Sequence, residues 1–331
     1  MIFLNQIEST IRKATSQSYD SVRCAITLLD QYGAIVAHLT NSYSRVINGY
    51  HEFPGTEELV RAYMLQNNLT VIVPSVKHYY YLDGDVISAP ETSTLGIIYV
   101  GAELRKPGTL TADVFASVYF LTHYKSAWTT PSDSYLLNYY AASDENYTIV
   151  RTFKDGTTAT ATGTATAGTS TIPVNYLTDC VSAVVTMGSR TFTLYFLDID
   201  IAERFQFRNA FNALESVVFP AATTEAPKTE YETAQQENVL QRYDIEEQLE
   251  VKIQTPPLPE FMRQTLLDMC RSHYVERLDS YRAGSTTYQV YSPVIIKEYK
   301  FDKTNEPNKP LVLELTLQYS NTKRNSAIEF G

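Results

Sequence analysis

Large apolar and polar side chains alternate most strictly near the C-terminal end. There Leu311, Leu313, Leu315, Leu317 and Tyr319 interleave with Val312, Glu314, Thr316, Gln318 and Ser320. A period of two sends successive side chains to opposite faces, so this run reads as a half-buried antiparallel strand. The same alternation recurs at Leu249, Val251 and Ile253 against Glu250, Lys252 and Gln254, and Pro256-Pro257 stops it. Pro259 then opens a helix over 259–272, with Met262, Leu266, Met269 and Cys270 on one stripe. A strand over 288–297 and a polar loop over 302–310 complete the block. Strand, helix, strand, strand predicts one compact unit over 231–320, a small sheet with one helix packed on it.

Upstream, short strands dominate. Leu4, Ile7, Ile11 and Ala14 make a single narrow stripe that predicts a helix over 3–17. Residues 22–29 and 34–39 flank a turn at Asp30–Gly33 and read as a hairpin. Thr56 as cap, Glu57 and Glu58 in the first turn, and Leu59, Tyr63 and Leu65 predict a helix over 56–66. Strands at 71–73 and 76–82 flank Pro74-Ser75, Asp83-Gly84 signals a hairpin into Val86-Ile87, and 95–100 is another strand. Residues 113–124 fit neither period. Strands at 135–142 and 147–153 lead into a turn at Asp155-Gly156, and 181–186 pairs with 191–197 across Met187-Gly188-Ser189.

Residues 157–171 are a Thr/Ala/Gly run in which Thr158, Thr160, Thr162, Thr164 and Thr166 alternate strictly. Threonine favours strands, yet nothing in the run is large enough to fill a core. The pattern predicts an exposed arm of an extended hairpin whose backbone is ordered by a neighbouring copy, with an ordinary self-contained hairpin as the alternative. Residues 221–230 lie in a small, polar, proline-flanked stretch, Pro220 to Glu230, and read as a linker.

The expected fold is therefore mainly β with a few helices, in two or three antiparallel β-sandwich-like domains. The expected boundaries are 1–125, 126–220 with the Thr/Ala hairpin, a linker at 221–230, and 231–331. A chain of 331 residues is long for one core and supports that division.

A formal charge of −10 without a basic run argues against wrapping nucleic acid. Cys24, Cys180 and Cys270 are far apart and read as buried small hydrophobes. The N-terminal residues lack a secretion-signal pattern, and no stretch nears the ~20 apolar residues of a membrane span, so no membrane insertion is expected. The 25 tyrosines suit half-buried strand faces and protein interfaces.

Catalytic patterns are weak. His38, His51, His78, His123 and His273 never fall within ten residues of each other, so no local metal site is expected. Asp198 and Asp200 would share one face of a strand and, with His123, are the first suspects for a site assembled from distant residues; charged strand ends explain them as well. Asp83-Gly84-Asp85 lacks the downstream glutamate of a calcium loop. Cys270 and His273 are three apart on the helix, but Cys270 lies on the apolar stripe. Tyr79-Tyr80-Tyr81 and Tyr139-Tyr140 are suited to stack on sugars or to pack across strands. No cofactor is expected, and no enzyme.

The stretch 192–330 carries a resemblance. Phe207-Arg-Asn-Ala-Phe-Asn-Ala-Leu-Glu215, Thr229-Glu-Tyr-Glu232, Tyr243-Asp244, Leu249-Glu-Val251, the Pro259–Ser272 helix and the closing Leu311–Tyr319 strand follow in an order that resembles virion proteins of tailed phages infecting gut Bacteroidetes, the crAss-like group among them. It covers about the C-terminal 40% of the chain, in short blocks. The resemblance implies a non-catalytic structural subunit of the particle, made in the host cytoplasm. Its expected place is a portal-proximal ring or the tail barrel, as a homo-oligomer in contact with other virion proteins. The candidate subunit-interface residues are Thr158, Thr160, Thr162, Thr164, Thr166, Tyr79, Tyr80 and Tyr81. A carbohydrate-binding or adhesion module using the tyrosine clusters is the alternative.

Overall fold

The computed structural model describes residues 2–3, 10–14, 21–30, 33–45, 50–54, 56–82, 85–86, 91–94, 96–99, 112–122, 124–199, 202–236, 239–283, 286–301, 311–320 and 323–324. The protein is mainly β, with three helices among the described residues and several mostly antiparallel sheets.

The N-terminal elements are β1 (Ile2–Phe3), β2 (Thr10–Ala14), β3 (Ser21–Leu29), β4 (Ile35–Arg45), β5 (Tyr50–Pro54), α1 (Thr56–Gln66), β6 (Val71–Leu82), β7 (Asp85–Val86), β8 (Glu91–Thr94) and β9 (Ile97–Ile98). They form a sheet in the order β1-β9-β6-β3-β4, with β7 and β8 also paired to β6 and β2-β5 as a separate ribbon. β3 alternates strictly, burying Val22, Cys24, Ile26 and Leu28 against Val60 and Met64 of α1. Those two helical residues are one turn apart, so a single face of α1 meets the sheet.

The expected helix over 3–17 is not formed. Thr10–Ala14 pairs with Tyr50–Pro54 and Ile2–Phe3 pairs with Ile97–Ile98, while residues 4–9 and 15–17 lie outside the described residues. One narrow stripe offers a helix little packing, and β-branched Thr10 and Ile11 favour a strand. The two strands expected around Pro74 are one continuous β6. Its second edge is paired by β9 at Val71–Ile72 and by β8 at Ser75–His78. On its other edge Pro74 lies opposite Leu28 of β3. The Asp83-Gly84 turn lies outside the described residues.

The middle elements are α2 (Ala112–Val118), β10 (Ser126–Thr129), β11 (Tyr135–Ala141), β12 (Glu145–Phe153), β13 (Thr158–Ala165), β14 (Gly168–Val174), β15 (Cys180–Met187) and β16 (Arg190–Phe196). A five-stranded sheet, β10-β16-β15-β12-β13, faces the two-stranded β11-β14 sheet. Tyr135 on one stacks on Phe192 of the other at 5.6 Å, inside a core that also holds Leu137, Ile172, Val185 and Leu194. Burial drives the Tyr135 hydroxyl pKa up.

The C-terminal elements are β17 (Glu203–Arg208), β18 (Leu214–Phe219), β19 (Ala222–Gln236), β20 (Val239–Gln254), α3 (Met262–Arg271), β21 (Val275–Ala283), β22 (Thr286–Phe301), β23 (Leu313–Tyr319) and β24 (Lys323–Arg324). They form one sheet, β18-β17-β21-β22-β23-β20-β19, with β24 on β20. Met262, Leu266 and Met269 of α3 pack on Leu313, Leu315 and Leu317, as the two periodicities predict. The expected linker at 221–230 is instead strand: β19 pairs with β20 from Ala222 to Gln236. β-branched Thr223 and Thr224 suit a strand, and Pro227 is tolerated because β19 is the end strand of its sheet. The unit also begins earlier than residue 231, since β17 and β18 belong to its sheet. The polar loop at 302–310 lies outside the described residues.

The tip of the β17–β18 hairpin, Asn209-Ala-Phe-Asn-Ala213, joins all three units. Asn212, at φ +60°, donates its Nδ2 to the carbonyls of Met64 (3.2 Å) and Leu69 (3.1 Å) at the end of α1. Asn209 Nδ2 donates to the Leu121 carbonyl at 2.7 Å, and its Oδ1 accepts from the amides of Phe211 and Ala213. Phe211 stacks on Phe115 of α2 at 4.6 Å, in a small core with Val71, Ile98 and Leu121. The short block that opens the phage resemblance is thus the clasp of the molecule.

Candidate interaction surfaces

The Thr/Ala run is built into its own unit. Thr158–Ala165 pairs without a bulge along Glu145–Thr152 of β12. Asp155 sets the turn: its Oδ1 accepts from the Thr157 amide (2.9 Å) and hydroxyl (2.7 Å), which holds its carboxyl below the usual range, while Gly156 takes φ +83°. The expectation that a neighbouring copy supplies this backbone order is corrected, because β12 supplies it in cis. Gly163 lies opposite Tyr147, whose ring sits where a Cβ would be. A large side chain from the neighbouring strand thereby covers a residue with none. Thr166 is exposed in the following turn, its carbonyl accepting from the Tyr139 hydroxyl at 3.3 Å.

β13 ends its sheet, and among the described residues nothing pairs with its second edge. The edge is eight residues long and has no charged residue or proline to blunt it.

The outer face of this sheet follows from register and burial. Thr158, Thr160, Thr162 and Thr164 point out from β13, all exposed. Beside them on β12 are Asn146, Thr148, Val150 and Thr152, and on β15 Ser182, Val184 and Thr186. Thr191, Thr193 and Tyr195 follow on β16, then Ser126 and Trp128 on β10. None of these positions is charged. At the β10 rim the face is covered by the chain itself: Phe261 meets Trp128 at 5.7 Å and Tyr195 at 5.5 Å.

The C-terminal sheet contrasts with this. Its strands carry the ion pairs Lys297–Glu250 at 2.8 Å and Lys300–Glu314 at 3.8 Å. Near its edge, Arg277 forks onto Glu203 at 2.8 and 3.0 Å and donates to the Tyr319 hydroxyl at 2.9 Å. Burial alone would raise the Glu203 pKa; the bonds from Arg277 and Thr223 outweigh it and hold the carboxyl below its ordinary value.

The tyrosine triplet splits. Tyr80 is 3% exposed and belongs to the core around Val22 and Met64, so its expected interface role is corrected: alternation turns it inward. Tyr79 lines a 750 Å³ groove with Arg23, Lys77 and His38, and the Arg23 guanidinium lies 4.1 Å over its ring. That ring face is therefore already covered. Tyr81 is half-buried. Of the second cluster, Tyr139 is 3% exposed, in the middle core.

Of the catalytic suspects, Asp198 alone lies among the described residues. Asp198 is exposed with Lys154 Nζ at 3.9 Å, and Asp200 and His123 lie outside the described residues. Among the described residues no group of three His, Cys, Asp or Glu is placed to hold a metal. All three cysteines are free and buried, and burial raises the thiols, Cys24 to about 11 and Cys270 to about 12. No helix of the described residues is long and apolar enough to cross a membrane. Sequence reasoning did not single out Glu215, which is 1% exposed on β18 with no hydrogen-bond partner for either oxygen among the described residues. Burial first, and the nearby Asp268 second, raise its pKa well above the usual range.

No family model and no curated protein matches the sequence. Among solved structures, a similarity to the full extracellular region of Plexin A4 has a TM-score of 0.22 at 8% identity, over 95% of this chain and 38% of that one. The chain thus spans well under half of that protein, and a likeness at this level carries no argument about fold or function.

Proposed function

We propose that the chain is a structural subunit of a tailed-phage particle, joined to copies of itself in a ring or tube of the portal–tail assembly and in contact with other virion proteins. The observation that carries the reading is the bare edge of β13. A long, flat, uncharged edge is a template for another strand, and proteins that stay monomeric blunt such edges with charge, proline or bulges. Head-to-tail addition along edges generates rings when the rotation closes. The resemblance of residues 192–330 supplies the particle; the edge supplies a joint. No catalytic residue or cofactor enters this reading. Sugar stacking is less well supported, since Tyr80 and Tyr139 are core residues and Tyr79 is capped by Arg23.

Electron microscopy of the purified full chain tests it. Closed rings or tubes are expected, and Ala161→Lys, which places a charge on the edge strand on the side away from its outward threonines, is expected to reduce them to smaller species without loss of fold. A compact monomer at all concentrations overturns the reading.

A further inference from the structure

We infer that the outer face of the β10-β16-β15-β12-β13 sheet is a second contact between copies, packing on the same face of another copy about a two-fold axis. This rests on the reading of the chain as a homo-oligomer but uses the face of the sheet, where that reading uses its edge.

Three observations lead there. The first is charge. The chain carries −10, so two copies repel wherever their charged surfaces meet. The outward positions from Ser126 to Thr193 hold no charge at all, whereas the C-terminal sheet of the same chain carries ion-paired lysines and glutamates. A partner chosen by opposite charge would find nothing to read on the neutral face.

The second is chemistry. Thr148 faces Thr162 and Thr152 faces Thr158 across β12 and β13, with Thr160 beside Val150 between them. A hydroxyl both donates and accepts, so a threonine row is complementary to a copy of itself. Val150 and Val184, in register at the middle, add an apolar centre. Two sheets with such faces pack ~10 Å apart with strands within about 30°.

The third is area. Four strands spaced ~4.8 Å and eight residues long at ~3.4 Å give roughly 500 Å² on each copy. Two copies bury about 1,000 Å², the size at which specific interfaces begin. The rim already shows the face accepting protein, because Phe261 of the same chain lies across Trp128 and Tyr195.

The test uses the full-length chain and two variants. Thr148→Glu/Val184→Glu puts two like charges on the face, and is expected to halve the particle mass by mass photometry while leaving the thermal transition in place. Thr148→Cys is the conservative companion, and the native thiols are buried. Its labelling by a bulky maleimide is expected to slow at least tenfold in the assembled protein relative to dilute monomer. If the wild type assembles but the charged variant keeps its mass and Cys labelling is equally fast in both states, the face contact is overturned and the edge-joined ring stands. If the wild type is a monomer throughout, both fall.

Discussion

Replacing Asn212 separates two roles that one residue performs at the clasp. The side chain is fully buried, sits at φ +60°, and donates to the carbonyls of Met64 and Leu69. Asn212→Gly keeps the backbone free to adopt the left-handed conformation but deletes both donors. At a net ~1 kcal/mol per hydrogen bond, the loss is about 2 kcal/mol. Asn212→Ala deletes the same bonds and adds the left-handed cost of a Cβ, ~1 kcal/mol, for about 3 kcal/mol in all. Asn212→Asp removes the donors and places a carboxylate against two carbonyl oxygens, and is the worst of the three. The chain has several units, so a single unfolding free energy is not the right readout. Amide exchange at Leu69, whose N–H donates to the Met64 carbonyl at 2.8 Å, reports the opening of this junction directly. Every ~1.4 kcal/mol is tenfold, so Gly should speed exchange by roughly 30-fold and Ala by roughly 100-fold. A Gly variant that exchanges like the wild type, or an Ala variant equal to Gly, would refute the division into bond and backbone terms.

Three further outcomes follow from the C-terminal unit. Leu315→Asp empties a site 2% exposed between α3 and β20 and buries a charge there, so the unit should lose its cooperative melt; an unchanged thermal transition would rule out this core. Arg277→Ala strands the Glu203 carboxylate and should cost about 3–5 kcal/mol, measured as faster amide exchange across the β17–β21 pairing. Because the folded pKa of Glu203 is depressed, its contribution is present above the unfolded value and fades as pH falls through the folded one. Glu215 has the opposite sign: its raised folded pKa gives stability that is full below its unfolded pKa and is lost as pH rises. Glu215→Gln should therefore raise the melting temperature at pH 8 more than at pH 5, and equal shifts at the two values would count against a protonated, buried carboxyl.

The element most legible in the sequence was one whose period matched its burial: Leu313, Leu315 and Leu317 alternate and are buried. The helix over 56–66 was legible from Thr56 and its acidic first turn, but its buried face is Val60 and Met64, while Leu59, one of the apolar positions expected, is 41% exposed. The misreadings share a cause. Residues 10–14 and 222–236 became strands because a partner lay beside them, Tyr50–Pro54 in one case and β20 in the other. Pairing across distance overrides a weak local signal. The β17–β18 hairpin was missed because its turn is Asn209 to Ala213, not Asn-Gly or Asp-Gly, and because fully buried Glu215 breaks the apolar pattern of β18. For the threonine run, exposure was legible but its partner strand was not.

The neutral face shows why the candidate surface needed the fold. Between residues 126 and 199 the sequence has nine charged side chains, so the middle unit is not short of charge. Asp133, Asp144, Lys154, Asp155, Asp179 and Asp198 all lie outside its strands, in the connections. Arg151 and Arg190 alternate to the inner side and are buried, Arg190 paired with Glu145 and bonded to the Tyr140 carbonyl at 2.5 Å. The desolvation cost of Arg190 is thus only partly offset by these partners, and burial holds its pKa below the ordinary value. No linear window reveals this, because adjacent outward rows come from segments as far apart as Ser126–Thr129 and Arg190–Phe196. Only the order β10-β16-β15-β12-β13 assembles them into one surface. A sheet that sends its charges to its ends and its interior while keeping threonine and valine outside has the charge-depleted composition of interface cores, and that composition is what the inferred face contact rests on.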